Sequence, residues 1–197
     1  MLYNKRISLR DGRTCVLRNG DAQDGQALFD NFMLTHAQTD WLLSYPDENS
    51  LDAVQEAAFL KEKAMSPNEI EIIAEIDGRV VGSAGIERVG HKDKVKHRAE
   101  FGISVDKDCW GLGVGRALTR ACIECAKAAG YLQLELQAVE ANERAVALYR
   151  SEGFLEYGRN PRGFRSRING WQPILLMRLE LDGQAESGLS QKPRSAG

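Results

Sequence analysis

Apolar and polar positions change period several times along this chain, and each change marks an element. Thr14–Arg18 reads as a short strand. Asp21 is a good N-cap for a helix over about 22–37, and a second helix is expected over 51–64. Between them lies TDWLLSYPDE, an aromatic-rich connection. EIEIIAEI and RVVGSAGIERV flank Asp77-Gly78, a strong hairpin signal. The charged stretch HKDKVKHR (91–98) then leads to an apolar strand over Phe101–Val105. After a polar turn, Gly111, Gly113 and Gly115 open a helix at Arg116. Val114, Ala117, Leu118, Ala121, Cys122 and Cys125 recur at three- and four-residue spacing, and Gly130 stops the helix. Leu132, Leu134, Leu136 and Ala138 alternate with Gln133, Glu135 and Gln137 as a half-buried strand. Asn142 caps a helix through Arg150, and Phe154–Tyr157 and Ile174–Leu181 read as closing strands.

The order β-α-α-β-β-β-α-β-α-β-β predicts an α/β (mixed α+β) domain over 1–181. Its central sheet is mixed, mostly antiparallel, with helices on both faces. Residues 182–197, rich in Gly, Ser and Gln without periodicity, read as a disordered tail.

Bulk properties narrow the function. A net charge of -2 argues against a protein that coats nucleic acid, and 43% hydrophobic content is ordinary for a globular chain. No run reaches the roughly 20 apolar residues of a membrane span. MLYNKRISLRDGR has no apolar core of signal-peptide length, so the expected location is cytoplasmic. Cys122 and Cys125 form a lone CxxC, read as packed thiols rather than a redox or metal pair. Cys109, beside the glycine loop, could be exposed and modifiable, which alone gives it no role. No His, Cys and carboxylate set has metal-ligand spacing.

The glycine loop carries the strongest chemical signal. Glycines let backbone approach a bulky ligand, and N–H groups at a helix start attract phosphate. Read as a Rossmann loop for a dinucleotide-binding oxidoreductase, the spacing fails, because the final glycine position falls on Arg116.

The chain resembles the GNAT superfamily of acyl-CoA-dependent N-acetyltransferases. One signature is Trp110-Gly111-Leu112-Gly113-Val114-Gly115, where the family pattern is a basic residue or Gln followed by x-x-G-x-G/A; Trp110 departs from it. The second is Asn142-x-x-Ala145-x-x-Leu148-Tyr149-x-x-x-Gly153-Phe154. The resemblance implies acetyl-CoA as co-substrate, its pantetheine arm pairing with Ile103, Ser104 and Val105. It implies a pyrophosphate held by Gly111, Leu112, Gly113, Val114, Gly115 and Arg116. Asn142 would contact the arm besides capping its helix, and Tyr149 would protonate or hydrogen-bond the departing thiolate. Glu100 is the first candidate for general base and Glu87 the second. The acceptor implied is a small-molecule or peptide amine, and the resemblance allows a homodimer. Residues 91–98, TDWLLSYPDE and 159–170 are expected around the acceptor entrance, with Trp41, Tyr45 and Phe164 as an apolar wall. The arginines of 159–167 weakly favour an acceptor that carries an acid group. A binding module that keeps acyl-CoA affinity without catalysis is the alternative.

Overall fold

In the computed structural model, which describes residues 1–49 and 51–183, the alternating segments pair into one eight-stranded sheet. Its order is β1-β2-β3-β4-β5-β6-β8-β7. The strands are β1 (Asn4–Ser8), β2 (Thr14–Asn19), β3 (Ile70–Ile76), β4 (Arg79–Arg88), β5 (Arg98–Val105), β6 (Gln133–Val139), β7 (Leu155–Ser166) and β8 (Gly170–Glu180). The helices are α1 (Gly25–Gln38), α2 (Ala53–Met65), α3 (Val114–Ala128) and α4 (Glu143–Ser151). Only β5 and β6 run parallel, which rules out a doubly wound dinucleotide fold. Most of the expected tail, 184–197, lies outside the described residues.

Local chemistry explains the elements. Asp77 and Gly78 adopt positive φ of 51° and 79°, as a two-residue hairpin turn joining β3 to β4 requires. Asp52 caps α2 by accepting from Val54 and Gln55 N–H at 2.9 Å each. Alternation on the central strands sends their two sides to different cores. Ile70, Ile72, Ile86, Phe101 and Leu134 meet α3 and α4 on one face; Ile73 and Val80 meet Leu28 of α1 and Leu60 of α2 on the other. Leu60 and Ile73 are fully buried, each contributing about 2 kcal/mol.

Two segments differ from the sequence expectation. β1 was not foreseen: NKRIS has one apolar residue and forms an exposed edge strand, with Lys5 paired to Glu124 of α3 at 3.0 Å. Residues 159–170, expected as a loop, extend β7 and β8 into a long hairpin. Pro161 is accommodated where the register shifts between Asn160 and Phe164, on the outer strand where a missing N–H costs least. All four cysteines are free and buried, including Cys109, which packs in the core instead of lying exposed. Burial pushes the Cys109 thiol up.

Candidate active site

The site begins where two strands part. β4 pairs with β5 from Ala99 to Val105, but β6 pairs with it only at Arg98, Ala99 and Glu100. The Arg98–Glu135 ion pair straps this junction. Beyond Glu100, β6 stays paired to β8, so the β6-facing edge of Phe101–Val105 has no strand partner. Backbone groups left inside a cleft call for a ligand or water.

A cavity of about 590 Å³ opens along this edge. Its lining includes Ile103, Ser104, Val105, Gly111, Gly113, Gly115, Arg116, Asn142 and Tyr149. The helix after the glycines starts at Val114, with Gly113 as N-cap at φ 107°, and Gly111 sits at φ 83°. A Cβ at Gly113 would meet no protein atom within 4 Å, so the space before the α3 N–H groups is open. That open, amide-lined approach fits a phosphate group. Val114 is fully buried and Leu112 packs against the core; neither side chain lines the cavity, which leaves them backbone roles.

Trp110 takes a position where the family pattern has a basic or amide side chain. Its indole N–H donates to the Val105 carbonyl at 2.7 Å, tying the loop to the end of β5. Its ring stacks on Trp41 at 6.1 Å. Positive charge arrives from elsewhere. Arg10, in the β1–β2 turn, donates its backbone N–H to Leu112 O and Nη1 to Gly111 O, both at 3.1 Å. The Arg144 guanidinium lies 5.7 Å from the Trp110 ring centre. Both line the cavity with Arg116, which is itself tethered to Glu152 at 3.2 Å and Ser151 at 3.1 Å. Arg10 and Arg144 were missed in the sequence because neither lies in a motif position that calls for a base.

Asn142 caps α4, its Oδ1 accepting from Ala145 N–H at 3.2 Å. Tyr149 stands in an aromatic cluster, 6.1 Å from Phe101 and 6.0 Å from Phe154, both edge-on. Burial pushes its hydroxyl up to about 12. Both residues also line a second cavity of about 490 Å³ on the α1 side of the sheet. The two cavities share Trp41, Leu42, Ile103, Ser104, Asn142, Ala145 and Tyr149.

The second cavity is acidic. Glu71, Glu87 and Glu100 line it with His36 and Gln137, and among the described residues no Lys or Arg does. Glu100 is exposed at the strand junction, its Cα paired with Glu87 on one side and Glu135 on the other. Glu87 binds Lys63 at 2.7 Å. Burial holds the His36 imidazole below its usual pKa. Trp41, Leu42 and Leu43 line this cavity, as expected for TDWLLSYPDE. Residues 91–98 and 159–170 do not, nor do Tyr45 and Phe164. The arginines read as acid-recognising are engaged elsewhere: Arg162 and Arg165 lie over Trp171 at 4.4 and 5.3 Å, and Arg167 pairs with Asp47 at 2.8 Å. The hairpin instead pins the 39–48 segment, because Asp40 accepts from Ser166, from Asn169 Nδ2 at 2.8 Å and from Tyr45 at 3.1 Å.

Comparison with known proteins agrees with this geometry. The Acetyltransferase (GNAT) family model matches residues 32–154. N-alpha-acetyltransferase RimI of Mycobacterium tuberculosis is 38% identical over 109 residues, covering 55% of this chain and 66% of that protein, just under two thirds of its length. A GNAT-family acetyltransferase from Streptococcus pneumoniae superposes with a TM-score of 0.80 at 26% identity, covering 84% of this chain and 99% of that one. yncA from Salmonella typhimurium, solved with its cofactor acetyl-CoA, superposes at 0.75 and 20% identity, covering 89% and 98%. The chain belongs to the GNAT family of acetyltransferases.

Proposed function

We propose that this protein transfers an acetyl group from acetyl-CoA to a primary amine by direct attack in a ternary complex. The observation that carries the reading is the parting of β5 from β6 after Glu100, with a cavity on each side meeting at Ser104, Asn142 and Tyr149. The first cavity is the donor side. The β6-facing edge of β5 over Ile103–Val105 offers the backbone groups of alternate residues to the pantetheine amides, and the Val105 carbonyl shares its lone pairs with Trp110. Gly111 to Arg116 receive the pyrophosphate, Leu112 and Val114 through backbone alone. Arg10 and Arg144 supply the charge that Trp110 does not. Asn142, already a cap, faces the arm.

Acetyl-CoA supplies the acyl group as a thioester, which an uncharged amine displaces. Tyr149 serves the leaving sulfur. Against a thiol near 8.5, full proton transfer from a hydroxyl near 12 is uphill by roughly 5 kcal/mol. A hydrogen bond to the sulfur as charge develops is the role Tyr149 can fill. The acidic second cavity attracts the acceptor as its ammonium form, with Glu100 at the strand junction in reach of solvent. This lining supports an amine without a neighbouring acid group, against the weak preference drawn from the arginines.

The test is thermal stability with acetyl-CoA, with NADH as control, followed by thiol release over an amine panel. Ligand at 100 times its dissociation constant adds about 2.7 kcal/mol. A shift with acetyl-CoA alone and thiol release with some amine are the expected results. A shift with no release over a broad panel would favour the non-catalytic module; a shift with NADH instead would sink the reading.

A further inference from the structure

Nothing in the linear pattern singles out Glu71. In EIEIIAEI it reads as an ordinary outward residue on an alternating strand. The fold places it on the sheet face under α1 and α2, at the floor of the second cavity. Its backbone neighbour across β4 is Gly85, and the next residue across, on β5, is Gly102. A Cβ at Gly85 would collide with Glu71 Oε2, so the carboxylate lies flat over that glycine. A Cβ at Gly102 would meet nothing within 4 Å. Adjacent strands are about 4.8 Å apart, so the carboxylate sits about one strand from the open edge of β5 and faces it over a bare floor. Ser83 hydrogen-bonds it. A half-buried carboxylate aimed along two glycines toward a reactive strand is costly unless its charge is used.

We propose that Glu71 is the catalytic base that deprotonates the acceptor ammonium, with Glu100 and Glu87 as the acidic mouth through which the amine arrives. This rests on the acetyltransferase reading. The ammonium gives one proton to a Glu71 oxygen, and the freed lone pair forms the C–N bond as the C–S bond breaks. The second nitrogen proton ends on the departing sulfur, and Glu71 loses its own to water. Burial pushes the Glu71 carboxyl up to about 7, near the value that makes a general base effective at neutral pH. Several other groups act on it. Ser83, by its hydrogen bond, and Lys63 of α2 lower it; Glu87 of β4 and Glu56 of α2 raise it. His36 of α1 and Glu100 of β5 face the same cavity, and the buried Cys122 of α3 lies behind the sheet.

The experiment compares wild type, Glu71→Gln and Ser83→Ala in pH profiles of kcat/KM, in acetyl-CoA binding and in pH-dependent stability. Glu71→Gln should lose roughly 100-fold or more in kcat, lose the acidic limb near pH 7, and bind acetyl-CoA as before. Ser83→Ala keeps the base but removes a bond to its charged form, so its acidic limb should move to higher pH. One readout needs no turnover. A carboxyl raised on folding binds more protons in the native state than in the unfolded one between about 4.5 and 7. Wild type should therefore lose stability relative to Glu71→Gln as pH rises through that window. If the wild type turns over while Glu71→Gln stays within threefold, or the limb stays with Glu71→Gln and vanishes in Glu100→Gln, the proposal falls and the acetyltransferase stands. Equal pH-stability curves would overturn it without any acceptor in hand. A wild type that binds acetyl-CoA and acetylates nothing removes both.

Discussion

The two cavities on either side of β5 are built by opposite means. The side proposed for the donor draws mainly on two short stretches, 103–116 and 142–149, with Arg10, Thr39, Trp41 and Leu42 added, and offers an unpaired strand edge, two positive-φ glycines and the start of α3. The acceptor side gathers His36, Glu71, Ser83, Glu87, Glu100 and Gln137 from α1, β3, β4, β5 and β6, and works through side chains. Backbone sites need particular residues at fixed spacing, because few conformations bring N–H groups to a phosphate. Side-chain pockets need only that strands lie in register, which leaves no local spacing to find. A cofactor common to a family and an acceptor that differs among its members would fall on these two sides respectively.

Breaking the donor side should give the largest effects. Gly113→Val puts a branched side chain into the open space before α3 at φ 107°, where a β-branched residue is strained. Acetyl-CoA affinity should fall at least about 100-fold, about 2.7 kcal/mol, cancelling the thermal shift expected of wild type. An unaltered dissociation constant by calorimetry would exclude this loop as the phosphate site. Tyr149→Phe separates binding from chemistry where the cavities meet. The ring keeps its contacts with Phe101 and Phe154, so acetyl-CoA affinity should hold while kcat drops about 100-fold, the usual loss for one transition-state hydrogen bond. Unchanged turnover in that variant would take Tyr149 out of the mechanism.

The same contrast explains what could be read in advance. The mixed sheet, the Asp77-Gly78 hairpin, the cap at Asn142 and the glycine loop stand where the pattern put them, and Asp21 caps a short 3-10 turn, Ala22–Asp24, that leads into α1. β1 escaped because an exposed edge strand has no buried face to pattern. Residues 159–166 escaped because Pro161, Gly163 and the arginines imitate a loop, whereas pairing with β8 decides the conformation. Glu71 escaped for a different reason: its place over Gly85, with Gly102 next across the sheet, is a fact of register between strands. A glycine in each of two neighbouring strands was the only hint, and it gains meaning once the strands are aligned.

Arg144→Ala sharpens the account of Trp110. With no basic side chain at that loop position, Arg144 over the indole and Arg10 against the loop carbonyls join Arg116, itself tethered to Glu152, as the charges that can meet phosphates. A charge-assisted contact contributes about 1.5–3 kcal/mol. Its removal should weaken acetyl-CoA binding about tenfold or somewhat more and flatten the salt dependence of the dissociation constant. Equal affinity for acetyl-CoA and for a 3′-dephosphorylated analogue in wild type, with Arg144→Ala unaffected, would assign Arg144 to packing on Trp110 alone.

The smallest effect is expected farthest from the chemistry, at Asp40. This carboxylate ties the 39–48 segment to the β7–β8 hairpin through Ser166 and Asn169, holds Tyr45 within the segment, and that segment brings Trp41 and Leu42 to both cavities. Burial works to raise the Asp40 pKa, but the three hydrogen bonds outweigh it and hold the group below its usual range. A lowered carboxyl stabilises the fold above its unfolded pKa and loses that contribution as pH falls through the folded one. The anchor is thus complete at neutral pH and released only in acid, below about 4. Asp40→Ala removes it at every pH. Losing about 1 kcal/mol of anchoring should raise the acceptor KM up to about fivefold and speed amide exchange over 41–45. Acetyl-CoA affinity should change less, because the glycine loop and β5 do not depend on this tether. If acceptor KM and exchange both stay at wild-type values, the hairpin is a bystander, and the acceptor wall is held by the stacking of Trp41 on Trp110.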